Sequence, residues 1–374
     1  MNRTAKINKI ALLLYGLHGG GAERVMLTLA NAWAKQGIQV DFLLGLMEGP
    51  YQDMLGKDLN IFVFNKRIKK LLPPVVKYLN KHQPDILLST LQPVNTMAAL
   101  AGKISSAKTK IVLREANSPT QKLKVRKGRG VKFYFGHLPR FAYPFAQGYV
   151  SVSEGLKKEM TQFYSLPNQK IRTIYNPVVN DDLYRMAQSP VDHPAMKTEE
   201  KIILAIGRVV PQKDFATLIK AFAQVKKTNN CRLVILGDRS ANSSYYQSMI
   251  TLAKQLDVQD SIYYIDFQRN PFAFLKRADV FVLSSKFEGL PGALIQALAC
   301  ECQVVSTDCP HGPLEILQNG AYGSLVAMED HNSMAAAITQ RLINPDHSLD
   351  FGEITKRFNH TNGVQEYLDY FKTL

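Results

Sequence analysis

Glu288 and Gln296 stand eight residues apart on a stretch that reads as strand, tight turn and helix: Ala278 to Cys300, ADVFVLSSKFEGLPGALIQALAC. The run Asp279 to Leu283 is short and apolar, as strands buried on both faces of a parallel sheet are. Glu288, Gly289, Pro291 and Gly292 then make a turn, and ligands in such sheets bind outside the carboxyl ends of the strands. The following helix aims unsatisfied backbone N–H groups and the positive end of its dipole at that place, which suits a phosphate. Glu288 stands at the entrance, and the Gln296 amide can be offered to a sugar hydroxyl. A plain strand–turn–helix would have the same outline. A second turn adds charge. The run Ile202 to Ile206 ends in Gly207-Arg208, Lys213 follows, and a helix is expected near Asp214, an N-cap residue type. Two fixed cations at a strand end can neutralise a diphosphate leaving group without a metal.

Further candidates lie on other strand ends. Lys9 to Tyr15 reads as a first strand, followed by Gly19, Gly20 and Gly21, and then a helix to about Gln36 with Gly37 as its stop. Those glycines let the backbone approach a ligand closely at a helix start. Glu23 and Arg24 either serve that ligand or only position the loop. Leu113 to Pro119 closes another predicted strand. Glu115 there either accepts a hydrogen bond from a substrate hydroxyl or forms a buried salt bridge with Arg114. His18 and His137 are further candidates. After the strand Gln303 to Thr307, either His311 and Glu315 border a sugar, or Asp308 or Glu315 caps a helix.

The elements that must carry these residues alternate. Gln39 to Leu44, Asn60 to Phe64, Asp85 to Ser89, Lys110 to Leu113 and Tyr149 to Val152 read as strands, with helices near Ile68–His82 and Pro93–Lys103. Arg232 to Leu236 and Tyr263 to Phe267 are strands of the second half. Alternation of this kind implies parallel sheets and an α/β class. A length of 374 residues suits about two domains. The expected division is 1–178, 179–362 and a C-terminal helix within 363–374.

Several of these stretches together resemble the retaining glycosyltransferases of the GT-B fold, family 4 or group 1 type. The match lies in Glu288-Gly289-Leu290-Pro291 with Leu294 and Gln296-Ala297, in Gly19-Gly20-Gly21-Ala22-Glu23-Arg24, in Gly207-Arg208 with Lys213, and in Gly312-Pro313-Leu314-Glu315-Ile316. Asn176-Pro177-Val178 is similar to the family hinge. The resemblance implies two doubly wound Rossmann-like domains facing across a cleft, with the C-terminal helix returning to the first. It implies that Glu288 contacts the donor sugar, that Arg208 and Lys213 hold the diphosphate, and that Gly19 and Gly20 face it from the other domain. It also places Gly237, Phe267, Gly289, Leu290, Gly292, Ala293 and Leu294 around the donor. Gln296 stands where the family has a second Glu on the nucleotide ribose. Ala116 stands where relatives often carry a His, and Asp266 where they have a Gly. The Gly-Pro-x-Glu-Ile ending is that of the subset assembling polysaccharides and lipid-linked oligosaccharides. The implied activity moves a hexose or N-acetylhexosamine from a nucleotide-sugar, UDP-linked, to a glycan or polyprenyl-diphosphate sugar. No Asp-x-Asp stands at a strand end, so no metal and no cofactor are expected.

Charge separates the two halves. Met1 to Val178 carries 27 Lys and Arg against 9 Asp and Glu, whereas Val179 to Leu374 carries 19 against 22. Two stretches concentrate the excess. One holds Lys66, Arg67, Lys69, Lys70, Lys77 and Lys81. The other, Ala116 to Ser153, holds Lys122, Lys124, Arg126, Lys127, Arg129, Lys132 and Arg140 among Phe133, Tyr134, Phe135, Phe141, Tyr143 and Phe145. Neither contains an acidic residue. Basic residues with aromatics suit an anionic membrane surface, although a solvated basic face over core aromatics has the same composition. No run is long enough to cross a bilayer, and the Ile10 to Leu14 run reads as a strand and not a signal peptide. A cytoplasmic protein, peripheral on the inner face of the plasma membrane, is the expectation. Four cysteines (Cys231, Cys300, Cys302 and Cys309) are expected as packed free thiols. Two other classes stay open: a sugar-nucleotide epimerase of the same fold, which needs no basic acceptor domain, and a nucleic-acid binder, for which no recognisable module is present.

Overall fold

A computed structural model describes residues 6–125, 128–239 and 242–374. The chain divides into two compact units, one running to Pro177 and completed by His360–Leu374, the other spanning Val178–Asn359. Each is built on one parallel sheet. In the first, β1 (Lys9–Leu14), β2 (Gln39–Leu44), β3 (Asn60–Val63), β4 (Ile86–Thr90), β5 (Lys110–Glu115), β6 (Gly148–Ser151) and β7 (Ile171–Thr173) lie in the order β3-β2-β1-β4-β5-β6-β7. In the second, β8 (Lys201–Ile206), β9 (Cys231–Leu236), β10 (Ile262–Ile265), β11 (Val280–Leu283), β12 (Gln303–Thr307) and β13 (Ser324–Val326) lie in the order β10-β9-β8-β11-β12-β13.

The strands form where apolar runs are continuous. Ile10 to Leu13 in β1 and Val280 with Phe281 in β11 are completely buried, because helices cover both faces of each sheet. The strand order reverses between β1 and β4 in one sheet and between β8 and β11 in the other. Loops leaving the carboxyl ends on either side of such a reversal splay apart and leave a crevice. The core of the second unit joins Phe215, Leu218 and Phe222 of the helix Phe215–Lys226 to Ile203, Leu233, Val282 and Val305 of the sheet.

The C-terminal helix runs His360–Lys372, three residues earlier than the expected 363–374 segment. It packs on the first unit. Trp33 of the helix Gly21–Lys35 meets Tyr367 and Phe371 edge-on at 6.0 and 5.7 Å. Arg114 of β5 is completely buried and donates to Tyr367 Oη at 3.1 Å, Thr90 Oγ1 at 3.0 Å and Asn176 Oδ1 at 2.6 Å. Adjacent residues on a strand point to opposite faces, so Arg114 and Glu115 do not form the salt bridge considered above. All four cysteines are free and buried, as expected.

Candidate active site

Three adjacent strands of the second unit, β8, β11 and β12, bring the candidate residues together. The loop after β8 carries Arg208 and, on the short turn Pro211–Lys213, Lys213. It rests on Gly237 at the end of β9. A Cβ at Gly237 would stand 2.0 Å from the Gly207 carbonyl oxygen, so only glycine lets these loops touch. Asp214 does not cap the next helix as its type suggests. It adopts a left-handed φ of 47°, and its carboxylate accepts from Thr217 Oγ1 at 2.7 Å.

The loop after β11 is fastened to its neighbours on both sides. Toward β8, Ser284 Oγ donates to the Lys213 carbonyl at 2.7 Å, Lys286 N to the Gln212 carbonyl at 2.8 Å, and Gln212 Nε2 to the Phe287 carbonyl at 2.8 Å. Toward β12, Thr307 Oγ1 donates to the Ser285 carbonyl at 2.6 Å, Glu288 N to the Pro310 carbonyl at 2.7 Å, and His311 N to the Glu288 carbonyl at 3.1 Å. Gly312, at φ 92°, lets this third loop close in, since a Cβ there would lie 2.7 Å from Pro291 Cδ.

Glu288 sits at the centre of these loops, and only 8 % of it is exposed. Its Oε1 accepts from Lys213 Nζ at 2.6 Å and from Ser285 Oγ at 2.7 Å. Among the described residues Oε2 has no hydrogen-bond partner. Arg208 is exposed, and its guanidinium pairs with no described residue. The helix Gly292–Ala299 starts at Pro291 with no side-chain cap, which leaves the first-turn amides of Gly292 and Ala293 without intrahelical acceptors. The site therefore offers a free guanidinium, an ammonium, open amides and one open carboxylate oxygen. That set fits a phosphorylated sugar: the cations and amides suit phosphate oxygens, and the carboxylate suits hydroxyls. Burial pushes the neighbouring Cys309 thiol up to about 12, with the Glu288 charge adding to the shift.

The remaining candidates of the second unit fall around this core. Gly289, Leu290, Leu294 and Gln296 are buried, and Gly292, Ala293 and Phe267 are half-buried. Asp266 takes up Arg239, with Nε 2.7 Å from Oδ1, and its carboxyl is held below its ordinary range by that pair. Sequence reasoning missed Ser284, Ser285 and Thr307. The available signal was two serines following a wholly apolar strand, where buried hydroxyls must find partners. Among the described residues no group of three or more His, Cys, Asp or Glu side chains stands at metal-binding spacing.

In the first unit Gly19 and Gly20 follow β1 and are half-buried. A Cβ at Gly20 would meet Glu23 Oε2 at 2.3 Å, so Glu23 folds back over its own loop. His18 and His137 are exposed. Glu115, expected to reach a substrate hydroxyl, is completely buried. Its Oε2 accepts from Tyr143 Oη at 2.7 Å and Tyr164 Oη at 3.1 Å, and Lys122 Nζ lies 3.9 Å from Oε1. Burial pushes this carboxyl up, while Lys122 and the tyrosine hydroxyls pull it down.

The two basic stretches meet on one face of this unit. Lys69 Nζ lies 4.3 Å from the centre of the Tyr134 ring, and Lys103 Nζ 5.5 Å from that of Phe145. Phe133, Tyr134 and Phe141 are exposed, whereas Tyr143 is in the core. Lys66, Arg67, Lys69, Lys70, Lys77, Lys81, Lys124 and Lys132 are exposed. Lys122 is not on this surface: it turns inward to Glu115. Arg126 and Lys127 lie outside the described residues, as does the side chain of Arg129. Leu72, Pro73, Val76 and Ile104, with Lys77 and Lys81 at the rim, line an open groove of about 730 Å³. No described helix is long and apolar enough to cross a membrane.

Known proteins share both the sequence pattern and the fold. The Glycosyltransferase Family 4 model matches residues 19–181, and the Glycosyl transferases group 1 model matches residues 191–358. The N-acetylgalactosamine-N,N'-diacetylbacillosaminyl-diphospho-undecaprenol 4-alpha-N-acetylgalactosaminyltransferase of Campylobacter jejuni is 27% identical over 345 residues, 88% of each chain. The lipopolysaccharide 1,6-galactosyltransferase of Escherichia coli K12 is 24% identical over 334 residues, 85% of this chain and 84% of that one. The crystal structure of Anabaena HepE in complex with UDP-glucose superposes with a TM-score of 0.81 at 17% identity, covering 98% of this chain and 100% of the other. With a family 4 domain followed by a group 1 domain, each on its own parallel sheet, the chain belongs to the glycosyltransferases of the GT-B fold.

Proposed function

We propose that this protein is a retaining glycosyltransferase moving a hexose or N-acetylhexosamine from a UDP-sugar to a lipid-linked sugar or glycan at a membrane, in cell-surface glycan assembly. The carrying observation is the set at the β8/β11 reversal: Glu288 held by Lys213, exposed Arg208, and the uncapped helix at Gly292. Glu288 Oε2 takes a hydroxyl of the donor sugar. Arg208, Lys213 and the Gly292 and Ala293 amides take the diphosphate. Gln296 bonds the ribose. As the bond from the sugar C1 to the phosphate oxygen breaks, negative charge grows on the diphosphate, and fixed cations stabilise it without reorganising. The acceptor oxygen bonds C1 on the face the diphosphate leaves, and its proton passes to the departing phosphate oxygen. The two cations provide the charge compensation a metal would otherwise supply, so the reaction proceeds without one. Glu115 acts as a positioning residue, tying Tyr143 and Tyr164 to the end of β5.

The Campylobacter relative is named for an undecaprenol-linked acceptor and the Escherichia coli relative for lipopolysaccharide, which supports an acceptor of that class. The basic, aromatic face of the first unit supports peripheral docking on an anionic bilayer, on its cytoplasmic side. The named relatives are transferases, and neither is an epimerase. Nucleotide release from a panel of UDP- and GDP-sugars, in EDTA, with and without a lipid extract containing polyprenyl-diphosphate sugars, tests the reading. Lipid-dependent UDP release from one donor, with the anomeric configuration kept by NMR, is expected. Isomerisation of the donor sugar without UDP release, or turnover that requires added metal, overturns it.

A further inference from the structure

The geometry points to Ser285 as the residue that decides which oxygen of Glu288 is presented to the donor. This rests on the reading of Glu288 given above. Ser285 is completely buried and follows β11 by two residues. Its hydroxyl donates to Glu288 Oε1 at 2.7 Å, and its own carbonyl is held by Thr307 Oγ1 at 2.6 Å. The Glu288 backbone is fixed as well, through its amide to Pro310 and its carbonyl to His311.

Lys213 alone does not orient this carboxylate. An ammonium is a point charge on a flexible stem with three rotatable donors, and it satisfies either oxygen from one side. It is also one of the groups needed by the diphosphate. When phosphate oxygens draw Lys213 away, Ser285 is the remaining side-chain bond on Oε1. The buried Ser285 hydroxyl already points at Oε1, and that bond keeps Oε1 turned inward and Oε2 outward. Without it the carboxylate is free to rotate about its last torsion, which is broad and nearly two-fold. The sugar hydroxyl then meets a misplaced acceptor, and misplacement on the ångström scale costs about 100-fold in rate.

The test uses the full-length protein, UDP, and whichever UDP-sugar supports turnover in the panel. Ser285→Ala is expected to lower kcat about 10- to 100-fold, with UDP affinity and KM changed less than about twofold. Ser285→Thr restores most of the rate. In a Glu288→Gln background Ser285→Ala adds no further loss, because the two act as one unit. A Ser285→Ala variant within twofold of wild-type kcat overturns the inference. So does a loss of kcat shared with UDP affinity and melting temperature, which marks a merely structural role, and so does an additive loss in the Glu288→Gln background. If the alanine variant does not fold, Ser285→Cys, similar in volume and a weak donor, is held to the same criteria. A fully active Glu288→Gln variant overturns the reading of Glu288 and this inference with it. An inactive Glu288→Gln beside a fully active Ser285→Ala overturns this inference alone.

Discussion

Glu288 and Glu115 are the same residue type, each at the carboxyl end of a parallel sheet, and the two sheets share one strand order apart from the extra β7. Their surroundings give them opposite characters. Glu288 is bonded by a lysine and a serine on one oxygen while the other stays open. Glu115 is completely buried against two tyrosine hydroxyls, with its one cation, Lys122, at 3.9 Å. The difference originates in the loops. After β11 only residues 284–302, which include the helix Gly292–Ala299, precede β12, and Glu288 keeps one oxygen open. After β5 the chain runs through some thirty residues that lay Tyr143 over the strand end before β6 begins. The fold supplies a place for a ligand in both sheets, and the length of the following connection decides whether the residue there faces a ligand or the core.

The strongest way to break this contrast is to remove the open site's cation. Lys213→Ala takes away the ion pair of a nearly buried carboxylate and, on the proposed function, a diphosphate ligand. It is expected to lower kcat for UDP release by about 1,000-fold, the upper range for one preorganised electrostatic group. Arg208→Ala, which breaks no pair among the described residues, is expected to weaken UDP binding more than it disturbs the fold. Steady-state kinetics with calorimetric UDP titration separates the two. Turnover of Lys213→Ala near the wild-type rate would remove the functional side of the contrast.

The charge asymmetry between the units gives a second, smaller test. Lys77 and Lys81 rim the groove beside Ile104. Replacing both by Gln should cost about 1 kcal/mol each at an anionic surface, or about 30-fold in partitioning to phosphatidylglycerol vesicles. Sedimentation with vesicles at low and high salt measures it, because the effect must fade as salt screens it. Equal binding to neutral phosphatidylcholine vesicles, or no loss in the double variant, would make the basic face a solvated surface only.

Most of the scaffold was legible because apolar runs in a parallel sheet are continuous. Gln39–Leu44 and Gln303–Thr307 agree with the sequence reading to the residue. The three-residue strands Ile171–Thr173 and Ser324–Val326 are too short to carry a pattern, and they owe their conformation to pairing with β6 and β12. The start of the last helix was hidden because His360, Thr361 and Asn362 are polar. Glu288 and Arg208 were legible because each is a charged residue beside a glycine at a strand end, and Lys213 because it follows Arg208 in the same loop. Ser285 was not, since a serine becomes a positioning group only through a buried contact that the fold creates. Lys122 misled for a related reason: composition counts a charge, while the direction of the side chain is set by the helix Pro119–Lys124 that carries it.

The smallest expected effect sharpens the contrast from its buried side. The Glu115 carboxyl has its pKa raised in the folded protein, first by burial and then by the nearby Glu159 charge, against the opposing pull of Lys122, Tyr143 and Tyr164. A raised folded value means that the native state binds this proton more tightly than the unfolded chain does. The stability it contributes is therefore present below the ordinary carboxyl range and is lost as pH rises through the folded value. Glu115→Gln keeps an acceptor for the tyrosines and carries no charge at any pH. Relative to wild type, the Gln variant should gain about 2 °C in melting temperature between pH 5 and pH 8, the scale of a modest change in a protein of this size. Parallel melting curves across that range would overturn the raised value, and a Gln variant that instead loses stability as pH rises would mark Glu115 as a net ion pair with Lys122.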